Sequence, residues 1–172
     1  MKSNLITAGV DEVGRGCLAG PVISAAVILN ENVNLKLLKD SKKINFNKRI
    51  KLAEHIKLNS YYSIGEASVD EILKLNILQA SLLSMKRAID KLPIKPELIL
   101  IDGTFAPKGV VNYKTIIKGD EKIKCISAAS IIAKVYRDLL MIKLSEKFNH
   151  YAWERNFGYG TKAHMEGLKK FG

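Results

Sequence analysis

Leu5-Ile6-Thr7-Ala8-Gly9-Val10-Asp11-Glu12-Val13-Gly14-Arg15-Gly16 is the stretch on which the fold turns. Leu5 to Val10 is apolar and short enough for a buried strand, although period alone does not separate it from a short helix. Two adjacent carboxylates follow. Glycines at 14 and 16 then free the backbone to turn sharply and to approach a ligand closely. Acidic side chains at a buried strand end cost stability unless a cation or hydrogen-bond donors neutralise them. The pattern therefore points to a metal site. The bland alternative is that Asp11-Glu12 caps a turn and Gly14-Arg15-Gly16 is an ordinary hairpin loop. The motif is neither a phosphate-binding P-loop nor the dinucleotide fingerprint.

Working outward, Pro21 opens a second apolar strand, Val22 to Leu29. Residues 11–19 serve as the connecting loop, which predicts antiparallel pairing with the first strand. Leu35 to Leu58 is densely basic, and Phe46, Ile50, Ala53 and Ile56 recur within it at helical spacing. Tyr61 to Glu66 reads as a third strand. Ser68-Val69-Asp70-Glu71 is a capping box. The spacing beyond it predicts one long helix with Ile72, Leu75, Leu78, Leu82, Met85, Ile89 and Leu92 on a stripe, ending before Pro93. Leu98 to Ile101 is a continuous apolar run and predicts a central, doubly covered strand. Val110 to Ile117 predicts a fifth strand at an edge. Ser127 to Phe148 is a second long helix whose small first turns allow close approach to a sheet, and Ala163 to Lys170 is a short helical piece. With no repeat and no linker, residues 1–172 read as one domain with a helical tail from about 149 to 172. Short-connected strands followed by strand–helix alternation give an α/β class: a five-stranded mixed sheet flanked by helices.

Twenty-eight Lys and Arg against 17 Asp and Glu give the 172 residues a formal charge of +11. That excess favours a polyanionic partner, nucleic acid above all, with a solvated cationic coat as the plain alternative. Cys17 and Cys125 make neither a disulfide framework nor a metal-ligand cluster, and as buried free thiols they suit a reducing cytoplasm. No secretory leader pattern opens the chain, and no apolar run approaches membrane-spanning length. The expectation is a cytoplasmic protein with no membrane partner.

Asp102 ends an apolar run as Asp11 does, and strand carboxyl ends are where α/β sheets place their sites. Asp138 lies in line with Ser127, Ile131 and Lys134 at helical steps. If that face meets the sheet, Asp11, Glu12, Asp102 and Asp138 converge. Carboxylates without a Cys/His cluster suit hard cations, Mg²⁺ or Mn²⁺, and two such ions can clamp both oxygens of an in-line displacement at phosphorus. Neighbouring strand residues point to opposite faces, so the strand is expected to end or bend at Asp11-Glu12. Each carboxylate also has a dull reading: Asp102 as a turn residue before Gly103, Asp138 as half of a surface pair with Arg137 or Lys134.

Six blocks in order resemble bacterial ribonuclease HII: Gly9 to Gly16, Asp40-Ser41-Lys42-Lys43, Leu100-Ile101-Asp102-Gly103, Lys118-Gly119-Asp120, Ser127 to Asp138, and Gly158-Tyr159-Gly160-Thr161. The resemblance implies an RNase H-like fold and a metal-dependent endonuclease that cuts RNA in RNA–DNA hybrids. It further implies incision on the 5′ side of single ribonucleotides in duplex DNA, leaving a 3′-hydroxyl and a 5′-phosphate. Asp11, Glu12, Asp102 and Asp138 match that family's metal-binding carboxylates. Gly14, Arg15 and Gly16 match its loop for the 2′-hydroxyl, Tyr159 its sugar-reading tyrosine, and Lys42 and Lys43 a phosphate-contacting pair. The expected partners are RNA–DNA hybrid and ribonucleotide-containing duplex DNA, bound by a monomer. Alternatives are a ribonuclease HIII-type hybrid nuclease and a non-catalytic basic nucleic-acid-binding domain. His55, His150, His164, Asp120, Glu121 and Trp153 read as structural, with a phosphate or supporting role open for His164.

Overall fold

The structure is a computed structural model describing residues 5–30, 33 and 45–172. The block Asp40 to Lys43, with Lys42 and Lys43 in it, lies outside the described residues. Among the described residues five strands make one sheet: β1 (Thr7–Val13), β2 (Val22–Leu29), β3 (Ser60–Ala67), β4 (Leu98–Asp102) and β5 (Tyr113–Ile116). Their order is β3-β2-β1-β4-β5, with β1 in the middle. β2 runs antiparallel to β1 and to β3, whereas β4 pairs parallel with β1 and β5 parallel with β4. The sheet is mixed, as the strand spacing predicts.

Among the described residues seven helices accompany it: α1 (Phe46–Leu58), α2 (Val69–Leu75), α3 (Ile77–Asp90), α4 (Gly119–Lys122), α5 (Lys124–Ser145), α6 (Trp153–Asn156) and α7 (Lys162–Phe171). Strand alternation divides the core between the two faces. Ile23, Ala25 and Val27 of β2 pack with Leu52, Ala53 and Ile56 of α1 and with Ala128, Ala129, Ile132 and Ala133 of α5. On the opposite face Val10, Ala26, Ile99 and Ile101 meet Met85 and Ala88 of α3. Each fully buried branched side chain in these layers contributes about 1.5–3 kcal/mol.

α5 determines where the site lies. A side chain at Gly9 would overlap the backbone of Cys125 and Ile126, so this helix lies hard against the central strand. The small residues of its first turns permit that approach.

Three expectations need correction. β1 does not end before the carboxylates. It runs through Asp11 and Glu12 to Val13, paired with β2 as far as Val13↔Ile23. Antiparallel partners on β2 hold the backbone extended past the point where β4 stops. The long helix after the capping box is two helices, broken at Asn76 (φ 73, ψ 165), whose side chain accepts from Gln79 N and caps α3. The capping box itself forms, but α2 buries no residue, so the apolar stripe before Asn76 is not core. Lastly, β4 is not doubly covered: its burial alternates, with Ile99 and Ile101 buried and Leu100 only partly so. Cys125 is buried and Cys17 half-buried, both as free thiols. No described helix is long and apolar enough to cross a membrane.

Candidate active site

Parallel register brings the first two carboxylates together. Val10 of β1 pairs with Ile101 of β4, so Asp11 and Asp102 follow as neighbours on the same face, the one α5 covers. Asp11 is 5% exposed, and Ser130 of α5 hydrogen-bonds its side chain. Its Oδ1 also accepts from the Glu12 amide at 2.7 Å. Asp102 Oδ1 accepts from the Gly119 amide at 2.6 Å, in the turn that opens α4. That turn needs Lys118 at φ 55, and a Cβ at Gly119 would sit 3.2 Å from the same carboxylate oxygen.

Glu12 is one residue further on and, by the pleat, on the opposite face. Because β4 ends at Asp102, no paired strand fences it off on that side. Arg15 Nη1 lies 3.2 Å from Glu12 Oε1, an i,i+3 pair across the turn that Gly14 makes at φ +110.

The three groups feel one another. Burial pushes the Asp11 carboxyl well above the usual carboxylate range, and the charges of Glu12 and then Asp102 push it further. Burial likewise raises Glu12, with Arg15 opposing and Asp102 reinforcing. Negative charge is thus concentrated at one end of the sheet.

Asp138 stands apart from this group. It is fully buried on α5, about 12 Å further along the helix axis than Ser130 at an α-helical rise. Lys134 Nζ lies 2.8 Å from its Oδ1, and Arg49 Nη1 lies 3.9 Å from its Oδ2. Burial raises its carboxyl, and Lys134, Arg49 and Arg137 hold it down. Oδ2 is buried and accepts no hydrogen bond. Among the described residues no three His, Cys, Asp or Glu side chains stand ready to hold one ion.

The second part of the site is a seam between two loops. Gly14-Arg15-Gly16 leads into residues 17–21, and Gly158-Tyr159-Gly160-Thr161 lies against them through Leu18 N–H donating to Gly158 O at 2.8 Å. Tyr159 is 38% exposed, with Lys134 Nζ 5.3 Å from its ring centroid and 5.0 Å from that of Phe157. Lys134 therefore joins Asp138 to the tyrosine loop by ion pair and cation–π contact together.

Comparison with known proteins identifies the architecture. The family model described as Ribonuclease HII matches residues 8–172. The ribonuclease HII of Pelagibacter ubique (strain HTCC1062) is 60% identical over 169 residues, covering 97% of this chain and 90% of its own. This chain belongs to the ribonuclease HII family. Among solved structures, the ribonuclease H2 from Pyrococcus horikoshii OT3 superposes with a TM-score of 0.80 at 29% identity, covering 96% of this chain and 86% of its own. A Bst-RNase HIII in complex with Mn2+ has a TM-score of 0.71 at 18% identity, covering 96% of this chain and 70% of its own, a likeness of fold alone. The fold is RNase H-like, and the chain is a ribonuclease H, a hydrolase that acts as a nuclease.

Within this family member, several supporting residues escaped sequence reading. Ser130 and the Gly119 amide bond the carboxylates, and nothing in their spacing announces it. Arg137 is fully buried rather than half of a surface pair, and donates to three main-chain carbonyls. His164 is also fully buried. Trp153 Nε1–H donates to its Nε2 at 3.1 Å, which leaves Nδ1 to donate to Tyr159 O at 3.0 Å. It supports the tyrosine loop and is shut off from phosphate. Trp153 packs against Phe148 and Tyr151, as an anchor should.

Proposed function

We propose that this ribonuclease is a metal-dependent endonuclease that cuts the RNA strand of RNA–DNA hybrids and incises on the 5′ side of single ribonucleotides in duplex DNA. The carrying observation is the cluster of Asp11, Glu12 and Asp102 at adjacent strand ends, whose mutual repulsion favours a bound cation. All-oxygen donors suit Mg²⁺ or Mn²⁺. Asp138, which the resemblance matches to a fourth metal-binding carboxylate, is paired instead with Lys134 and Arg49 and is not counted among the proposed ligands. Asp11, Glu12 and Asp102 would hold the divalent ions, which would supply a nucleophilic water and neutralise charge on the phosphate.

The chain's own residues do the rest. Ser130 and the Gly119 amide fix the Asp11 and Asp102 carboxylates. Arg15, half-exposed beside Glu12, is placed to meet a phosphate. The Gly14–Gly16 backbone allows close approach of a sugar, and Tyr159 stacks beside it. The 2′-hydroxyl is the group by which such a loop separates RNA from DNA. Lys42 and Lys43 remain proposed phosphate contacts by resemblance. The cytoplasmic monomer expected above belongs to the same proposal.

The test is cleavage mapping on duplex DNA carrying one ribonucleotide. A single cut on its 5′ side with Mg²⁺, absent with EDTA and absent in Asp11→Asn, is the expected result. Cleavage that survives EDTA, or an Asp11→Asn variant of normal rate, overturns the metal assignment.

A further inference from the structure

Arg137 has a charged head and no solvent exposure. Its Nε donates to Pro21 O at 2.9 Å, its Nη2 to Ala19 O at 2.7 Å and its Nη1 to Phe157 O at 2.6 Å. All three acceptors are main-chain carbonyls, and they come from two segments. One follows Gly14-Arg15-Gly16; the other leads into Tyr159. A guanidinium offers donors in a rigid planar fork, so accepting it from both sides fixes the spacing of the two segments. Burying such a charge is costly, and removing its partners more so, which makes the joint stiff.

Three further observations locate the same joint. A Cβ on Gly14 would sit 2.7 Å from Arg137 Nε. Gly158, at φ +88, would place a Cβ 2.5 Å from Ala19 O. The Cys17 thiol and the Tyr159 hydroxyl stand within hydrogen-bonding reach across the seam.

We propose that Arg137 is the positioning residue of ribose recognition: it locks the Gly14–Gly16 loop and Tyr159 at one separation, so that the two read a single nucleotide's sugar as a unit. This rests on the sugar-reading role proposed above for those residues. Loss of the lock lets them drift, and a misplacement of about 1 Å in such a site can cost roughly a hundredfold. A lone ribonucleotide offers one register to read. A long hybrid offers a 2′-hydroxyl at every step, so the loss there is smaller.

The experiment measures kcat and KM on a one-ribonucleotide duplex and on a long hybrid for Arg137→Lys, Arg137→Gln and Gly158→Ala, with amide exchange at Leu18 read in parallel. Lysine keeps the charge but not the fork, and Gly158→Ala presses on Ala19 O, one of the fork's acceptors, while leaving Arg137 itself in place. The expected result is a kcat/KM on the single ribonucleotide that falls at least roughly tenfold more than on the hybrid, about 1.4 kcal/mol. Faster exchange of the Leu18 amide should accompany it. If the Arg137 variants fail to fold, Gly158→Ala carries the same comparison. Equal losses on both substrates overturn the proposal, as does an Arg137→Lys enzyme with wild-type selectivity. Those failures presuppose an active wild type; a wild type that cuts neither substrate instead sinks the functional reading.

Discussion

Asp11 and Asp138 are both buried carboxylates on facing elements, and their surroundings are opposite. Around Asp11 stand Glu12 and Asp102, each adding to the rise that burial starts. Around Asp138 stand Lys134, Arg49 and Arg137, each opposing it. One pocket concentrates negative charge that a soluble cation relieves; the other arrives with its own cations built in. The difference teaches that burial alone does not make a metal site. What distinguishes the strand-end cluster is that its neighbours share its sign.

The sharpest way to break this contrast is at the strand ends. Asp11→Asn or Asp102→Asn should lower kcat/KM by at least roughly a thousandfold, about 4 kcal/mol. Binding to hybrid should persist, since the basic contacts remain. A variant that cleaves at wild-type rate would erase the distinction.

Metal should act on stability as well as on activity. Saturation with Mg²⁺ or Mn²⁺ at about a hundred times Kd is expected to stabilise the wild type by about 2.7 kcal/mol, read as a rise in melting temperature. Asp11→Asn should lose most of that response. An equal response in both proteins would place the ion elsewhere.

Lys134→Met probes the other pocket. It strips Asp138 of its closest cation and leaves a buried charge half-matched, for a loss of about 1–3 kcal/mol on urea denaturation. Adding Asp138→Asn to the same chain should restore much of it. An additive double variant would show that the pair is not coupled.

The pH dependence is a gentler effect with a definite sign. Asp11's folded carboxyl titrates higher than in the unfolded chain, so the native state holds the extra proton. Metal-free stability should therefore fall as pH rises from about 4, where the unfolded carboxylate ionises, through the raised folded value. Asp11→Asn should flatten that slope and be the more stable protein at neutral pH. An unchanged slope would remove the like-charge account. Smallest of all, Tyr159→Phe should slow single-ribonucleotide incision a fewfold more than cutting of long hybrids, and equal slowing would take the phenol out of sugar reading.

Much of the fold was legible because the signals are local. The β1 stretch, the capping box at Ser68 and the small turns of α5 each appear in the structure close to where their spacing puts them. The break at Asn76 was not legible. An apolar stripe continues through it, and an Asn at φ 73 leaves no mark on periodicity. β1's passage through Asp11 and Glu12 escaped for a related reason, since its extension depends on β2 as a partner. Arg137 reads as a surface helix residue until residues 19–21 and 157 close over it.

The sequence by itself set the acidic pair at a strand end, the glycines that follow, the close-packing helix and the basic balance, because each depends on neighbours within a few residues. Which carboxylates share a field was decided by tertiary structure. Pairing of Val10 with Ile101 sets Asp11 beside Asp102, while the packing of α1 on α5 adds Arg49 to the Lys134 that already stands one helical turn from Asp138. Register and helix placement are long-range choices, made by whole faces packing together, and electrostatic neighbourhoods follow from them.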